Sequence, residues 1–531
     1  MSAVVSRRVA LSVCGLSLGL LPVGCAEPPV DLLVLGGTVH DGSGGAPRVA
    51  DVAVRGDRIV FIGDAAAEGV RSAETIRAEG LLVTPGFIDM HSHSQIGVEW
   101  GREALPFLYQ GITTVVVGVD GGGVPEVAGT LAGWEAAGIG VNGLTYVGHG
   151  AIRRRVLGEE DRAPTPEELD AMRALVRQGM EEGAFGLSTG LFYIPGYYAT
   201  TEEVIELARV AAEYRPAIYD THDRDLGATY PSFGYLASIE EAIRIGEESG
   251  TRVIFSHFNA QGAANYGRAP EGAALIDAAR ERGVTVAGAQ HVYTATQSSL
   301  RAYTVPRWAS AGGRDAMLER FDDPDTARVL DEATAEMLAI RGGADRIRFS
   351  DPRPHLNGRT LADVAAEWGV PAPEAARRIL AEGNASVMNI GLYDPVNTAF
   401  LAEQDWMMTC TDGRDIAPDA AVGHPRVYGA FTKKLRDYVL DEGRISMPFA
   451  IRSMTGLAAE FLELEDRGFL REGLKADLAI LDPERIRDRA TYDDPHQYSE
   501  GTVHVLVNGA FAIRDGAHTG ALAGRALRPV R

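Results

Sequence analysis

Apolar runs that stop on a potential metal ligand recur along this chain, and that repetition limits what it can become. The first is Leu81-Leu-Val83 leading into Phe87-Ile-Asp-Met-His-Ser-His93. Two histidines at i and i+2 share one face of a strand, so at a strand end His91 and His93 can reach one ion. Four further runs end the same way: Val115-Val-Val-Gly-Val-Asp120, Ile218-Tyr-Asp-Thr-His222, Val253-Ile-Phe-Ser-His257 and Met407-Met-Thr-Cys-Thr-Asp412. Short apolar runs alternating with helical stretches predict parallel strands. Eight candidates are expected to end near His93, Asp120, His149, Thr189, His222, His257, Tyr293 and Asp412. Eight such units predict an α/β chain built as a (β/α)8 TIM-type barrel, whose functional groups gather at the C-terminal strand ends.

The 531 residues exceed what one barrel needs. Residues 30–84 read as short strands with glycine-rich turns, and residues 466–531 return to that style. The two ends are expected to form one small β-sandwich domain beside a barrel over residues 85–465. Between the seventh and eighth strands, residues 300–400 are too long for a loop and carry helical signals such as Leu361 to Trp368. A helical insertion is expected there, open between covering the barrel mouth and a purely structural role.

Residues 1–24 differ from the rest. Arg7 and Arg8 precede an apolar stretch from Val9 to Val23, then Gly24-Cys25-Ala26. That order predicts a secretory signal peptide. Cys25 after Gly24 resembles a bacterial lipoprotein signal, which implies a lipidated first residue of the mature chain, and a plain signal cleaved nearby is the alternative. Export to the periplasm or cell envelope follows, with membrane contact only through that anchor. Only Cys410 then remains in the body with Cys25, which excludes a disulfide framework. The net charge of −22 excludes nucleic acid as a natural partner.

The candidate ligands are His91, His93, Asp120, His222, His257 and Asp412. A lone strand-end histidine is commonly structural, but six ligands at five strand ends predict a metal site. Imidazole with carboxylate suits Zn²⁺, as one or two ions, with other divalent metals open. Arg153-Arg-Arg155 reads as a solvated or substrate-facing loop in so acidic a chain. Gly121-Gly-Gly123 lacks the spacing of a phosphate loop.

The chain resembles the amidohydrolase superfamily, and within it the N-acyl-D-amino-acid deacylases. The resemblance rests on Pro85-Gly-Phe-Ile-Asp-Met-His-Ser-His93, Gly148-His-Gly150, Gly186-Leu-Ser-Thr-Gly-Leu191 and Thr221-His-Asp-Arg224. It continues in Asn265-Tyr-Gly-Arg268, Thr411-Asp-Gly413, His424-Pro-Arg426 and Gly473-Leu-Lys-Ala-Asp-Leu478. It implies that His222 and His257 hold the better-occupied metal, and His91 and His93 a second. It implies Asp412 as general base and then acid, Arg426 as partner of the substrate carboxylate, and Tyr193 and Tyr293 as pocket residues.

The chain departs from that family at three places. The usual bridging cysteine after strand two is Asp120 here. The usual lysine two residues after the strand-six histidine is Asn259, which suits an amide and so a peptide-like substrate. The usual Asp-x-Tyr-Pro-Tyr is Ala289-Gln-His-Val-Tyr293. Lysine occurs only at 433, 434 and 475, so no strand before the last can supply a carboxylated lysine bridge. His149 is open between stabilising an oxyanion and a structural role, and His291 and His424 are equally open.

The expected activity is metal-dependent hydrolysis of a linear amide in a small molecule, an N-acyl-D-amino acid or a dipeptide with a D-residue. Two alternatives stand beside it: a cyclic amide hydrolase of the hydantoinase or dihydroorotase type, and a non-catalytic surface metal-binding protein. The missing lysine argues against the first, and Asp412 against the second, because binding alone needs no general base.

Overall fold

The computed structural model describes residues 28–414 and 422–530; the expected leader, residues 1–24, and Cys25 lie outside the described residues. Eight parallel strands form the centre: Phe87–Asp89, Ile112–Val117, Asn142–Thr145, Gly186–Gly190, Ile218–His222, Arg252–Phe255, Val286–Gln290 and Met407–Thr409. The third continues as Val147–Gly148, which pairs with the fourth and so joins the strands into one cylinder wall. The wall closes between the first and last strands. Met90 N donates to Thr409 O at 3.4 Å, Asp412 N to His91 O at 2.9 Å and His93 N to Gly413 O at 2.9 Å. Thr411 adds its N–H and hydroxyl to the buried Asp89 carboxylate.

These strands are buried on both faces, which is why they read as apolar runs rather than alternating ones. Ile88, Val116, Leu144, Ile218, Ile254, Ala287 and Met408 pack together inside the barrel. Their chain neighbours Val115, Tyr219, Val253, Phe255 and Met407 pack outward against the helices. Truncating one such residue, Ile254→Ala for example, costs about 2–5 kcal/mol.

The helices end where local chemistry stops them. Pro166–Glu182 opens on a capping box in which Glu168 N donates to Thr165 Oγ1 and Thr165 N donates back to the Glu168 carboxylate. It closes on Gly183 at φ 115°.

The chain ends meet in one nine-stranded sheet. Leu82–Pro85 from the first end pairs antiparallel with Leu478–Leu481 from the second, Leu82 opposite Leu481 and Pro85 opposite Leu478. Val34, Val52, Ile59, Val83, Ile480 and Leu506 fill one face.

The segment between the last two barrel strands has its own apolar core, with Leu300, Phe321, Leu330, Leu361 and Ile379 at its centre. Its helices include Pro324–Ile340, Leu361–Trp368 and Ala372–Glu382. It also holds a three-stranded antiparallel sheet, ordered Thr296–Ser299, Ser386–Asn389, Ile347–Phe349. Helical signals alone were legible there, because Thr-Gln-Ser-Ser carries neither apolar alternation nor branched apolar residues.

Candidate metal centre

Five of the six expected ligands bring donor atoms to one point above the barrel axis. His91 Nε2 lies 3.5 Å from Asp120 Oδ1, and His93 Nε2 lies 3.4 Å from Asp120 Oδ2. His257 Nε2 is 3.6 Å from Asp120 Oδ1, and His93 Nε2 is 3.4 Å from Asp412 Oδ1. Asp120 therefore faces three imidazoles with its two oxygens, the placement a bridging carboxylate requires. The sixth, His222, stands beside His257 with ring centroids 4.5 Å apart.

The spacing fits a cation. Ligands about 2.0–2.2 Å from a tetrahedral Zn²⁺ stand about 3.3–3.6 Å from each other. Among the described residues, the buried His91 Nε2 and Asp120 Oδ1 find no hydrogen-bond partner. Two unsatisfied buried polar atoms are costly unless something else fills their valence. Two groups of three meet the ligand condition: His91, Asp120 and His257, and His91, His93 and Asp412.

Electrostatics agree. Burial would raise the Asp120 carboxyl, but His91, His257 and His93 around it hold it well below the usual carboxylate range. Burial would likewise raise Asp412, but Arg426 and His257 outweigh it and hold this carboxyl well below the usual range too. Both stay ionised at neutral pH. Burial would lower His93, yet hydrogen bonds to Asp120 and Asp412 push it up to about 9. The carboxylates thus draw positive charge to the point where the ligand atoms converge. His222 is pushed down to about 3 by burial and by His257, so it is a neutral imidazole. Its Nδ1–H donates to Asp223 O at 3.1 Å, which leaves Nε2 as the free donor atom. Phe192 stacks on its ring at 5.1 Å and Tyr193 meets it edge-on at 4.7 Å.

The backbone explains how strand ends aim these groups. Asp120, His257 and Asp412 have φ of 53°, 33° and 47°, in the left-handed region that non-glycine residues rarely occupy. Each turns the chain sharply at the end of its strand. Such residues cost of order 1–3 kcal/mol and persist where the surrounding fold dictates them. Close packing completes the turn after Asp120: a Cβ on Gly190 would lie 2.4 Å from the Asp120 carbonyl oxygen, so only glycine fits.

The cluster opens into a cavity of about 640 Å³, lined also by Tyr193, Arg414 and Arg426. Arg426 Nη1 lies 2.5 Å from Asp412 Oδ2 and donates to His291 Nε2 at 3.2 Å. Its charge is therefore committed first to the candidate base. His424 supports it from behind, accepting Arg426 N–H at Nδ1 and donating from Nε2 to Ala295 O.

Four expected site residues do not line this cavity: His91, which is fully buried among the other ligands, and three that turn away from it. His149 is fully buried and pairs with Glu203 at 3.0 Å. Asn259 is fully buried, donating to Thr398 Oγ1 and accepting from Ala260 N. Tyr293 donates its hydroxyl to Asp488. Arg153 is a correction to the solvated-loop reading. It lies within the helix His149–Leu157, fully buried, with its guanidinium donating to the carbonyls of Pro195 and Arg162.

Sequence reasoning missed Asp220, two residues before His222. It is fully buried, accepts from Ser256 Oγ, and sets Oδ1 3.9 Å from His91 Nδ1. An acid inside the apolar run Ile218–His222 was the available signal. The hydroxyl and amide residues of the inserted sheet that border the cavity carried none.

The sequence matches the amidohydrolase family over residues 74–513. It is 35% identical over 522 residues to a D-aminoacylase of Alcaligenes xylosoxydans xylosoxydans, covering 94% of this chain and 98% of that protein. An N-acyl-D-aspartate deacylase of the same organism is 36% identical over 522 residues, covering 93% of this chain and 94% of that one. The crystal structure of N-acyl-D-glutamate deacylase from Bordetella bronchiseptica is similar, with a TM-score of 0.79 at 32% identity, covering 94% of this chain and all 100% of that one. That enzyme was crystallised with zinc and a phosphonate inhibitor that mimics the tetrahedral intermediate of its reaction.

Proposed function

This chain belongs to the amidohydrolase family, and from that premise we propose that it hydrolyses the linear amide bond of N-acyl-D-amino acids in a zinc-dependent reaction. The observation that carries the reading is Asp120 set between the buried His91 and the cavity-lining His93 and His257, with Asp412 beside it on the same cavity wall. The relatives supply the chirality of the substrate, and this geometry supplies the chemistry.

His91, His93, His222, His257 and Asp120 would hold the cation, with Asp412 at its edge. A divalent cation there supplies Lewis acidity, which activates water near neutral pH and polarises a carbonyl. Asp412 is ionised and faces the same point, so it accepts the proton of the attacking water. It then returns a proton to the leaving nitrogen, without which an amine leaves poorly. Arg426 fixes the Asp412 carboxylate through Oδ2 and leaves Oδ1 toward His93 and the cluster. The arginine fork retains further donors for a substrate carboxylate. The balance is that of hydrolysis: water adds to the carbonyl carbon, the C–N bond breaks, and the amine carries away the proton.

The test is hydrolysis of N-acetyl-D- and N-acetyl-L-amino acids by zinc-loaded protein, before and after chelation. Cleavage of the D-series that chelation abolishes and zinc restores is the expected result. Cleavage unaffected by thorough chelation, or confined to cyclic amides, overturns it.

We further propose export, with residues 1–24 removed and Cys25 lipidated. The support is the basic, apolar, small-residue order of that segment. Among the described residues no helix is long and apolar enough to cross a membrane. Mass spectrometry of the mature N-terminus tests it, and an unmodified chain beginning at residue 1 in the native host would refute it.

A further inference from the structure

Away from the metal ligands, the cavity is bordered by the inserted sheet. Thr296, Gln297, Ser298 and Ser299 are consecutive residues of one strand, and all four line the cavity. Successive side chains of a strand point to opposite faces. A cavity touched by both sets reaches the strand's edge, where its backbone N–H and C=O groups point, and it extends around the end of the pair to Asn384, Ala385 and Ser386. Among the described residues no strand lies on that edge. Thr296–Ser299 is at the end of its sheet and pairs only with Ser386–Asn389. Among the described residues no backbone hydrogen bond outside that pairing reaches it.

The lining around this edge is neutral and mostly polar. None of the lining residues between 296 and 393 is charged. Hydroxyls and amides surround the strand instead, among them Ser298, which donates to Tyr193 Oη at 3.4 Å, and Gln297, which donates to Ser386 Oγ. The cavity's volume far exceeds what a two-carbon acyl group fills. An open strand edge recognises an extended main chain through ladder hydrogen bonds, while alternate side chains find their own pockets. A simple fatty acyl chain would leave those backbone groups without partners and would meet a polar wall.

Building on the deacylase reading, we propose that the acyl side of the natural substrate is a peptide, laid as an added strand along Thr296–Ser299. The enzyme then releases a C-terminal D-residue from an oligopeptide. The bond broken and the proton balance are those given above; only the nature of the acyl group changes.

The test separates this inference from the reading beneath it. Binding is measured to zinc-loaded Asp412→Asn protein, which turnover does not deplete. The probes are N-acetyl-D-alanine, acetyl-glycyl-glycyl-D-alanine, and an analogue of the latter with both glycyl N–H groups replaced by ester oxygen. The expected result is at least about tenfold tighter binding of the extended peptide, most of it lost in the ester, since each ladder bond contributes roughly two- to tenfold. Equal affinity of ester and amide, or no gain from the extension, overturns the proposal. Wild-type protein is assayed in parallel. Hydrolysis of N-acetyl-D-alanine without any preference for the peptide leaves the deacylase reading standing and removes this one. Hydrolysis of neither substrate removes the deacylase reading, and the binding series still decides the strand.

Discussion

The cavity has two unlike walls, and their difference shows how this fold divides its labour. One wall comes from barrel strand ends and is charged, crowded and tightly constrained. Its carboxylates and imidazoles hold each other, and three of its residues sit in rare backbone conformations. The other comes from the inserted segment and is neutral, hydroxyl-rich and open along one strand edge. Reactive groups on rigid strand ends with selectivity on a grafted segment is the arrangement that lets barrels vary substrate while keeping chemistry.

Substitutions on each side should therefore fail differently. Asp412→Asn should lower kcat about a thousandfold with the circular dichroism spectrum unchanged, since an amide of the same shape cannot take up the proton; turnover near the wild-type rate would erase the distinction between the walls. Asp120→Ala should weaken zinc binding by more than the roughly 10–100-fold seen for side chains that merely orient a ligand. Elemental analysis after gel filtration reads this, and full occupancy would take Asp120 out of the ligand set. On the neutral wall, Ser298→Ala should change KM by roughly two- to tenfold and leave kcat and zinc content alone. A fall in kcat with KM constant would move Ser298 to the reactive side.

The smallest effect on catalysis is expected away from both walls. Lys434 is fully buried, donating to Thr409 Oγ1 and Ser453 Oγ, and burial pushes its ammonium from 10.5 down to about 7. Between those two values the unfolded chain carries one proton more than the folded one. Stability should therefore rise with pH across that window, by up to about 1.4 kcal/mol per unit, and level off above it. Below the lower value both states are protonated and the slope vanishes. Lys434→Met should abolish the rise, as read by urea unfolding at several pH values, with kcat unchanged. An equal slope in both proteins would mean that the buried amine keeps its proton throughout.

The reactive wall was legible in the sequence because each of its residues closes an apolar run, and a run's end is also a strand's end. The strand ends predict which residues reach the barrel mouth. They do not say which way each faces. His149 and Tyr293 follow strand ends yet turn away, one to Glu203 and the other to Asp488. Asn259 stands two residues past His257 but bonds Thr398, because the left-handed turn at His257 redirects the chain. Arg153 looked solvated because three consecutive arginines carry no sign of which one a helix buries. The neutral wall was illegible for a different reason. Its strand is four residues of Thr, Gln and Ser, whose extended form comes from pairing with Ser386–Asn389, nearly a hundred residues away, rather than from local preference.

The seam that closes the cylinder runs directly beneath the reactive groups. Asp89 and Thr411, partners across it, are 322 positions apart in the chain. His91 and Asp412 are tied to each other by main-chain bonding at the same place. During synthesis, then, a growing chain holds most of the donor atoms long before it can arrange them. Activity should arise abruptly once the stretch around Asp412 has emerged and the final strand has locked into the gap, and a product truncated short of it should be inert however well its earlier segments fold.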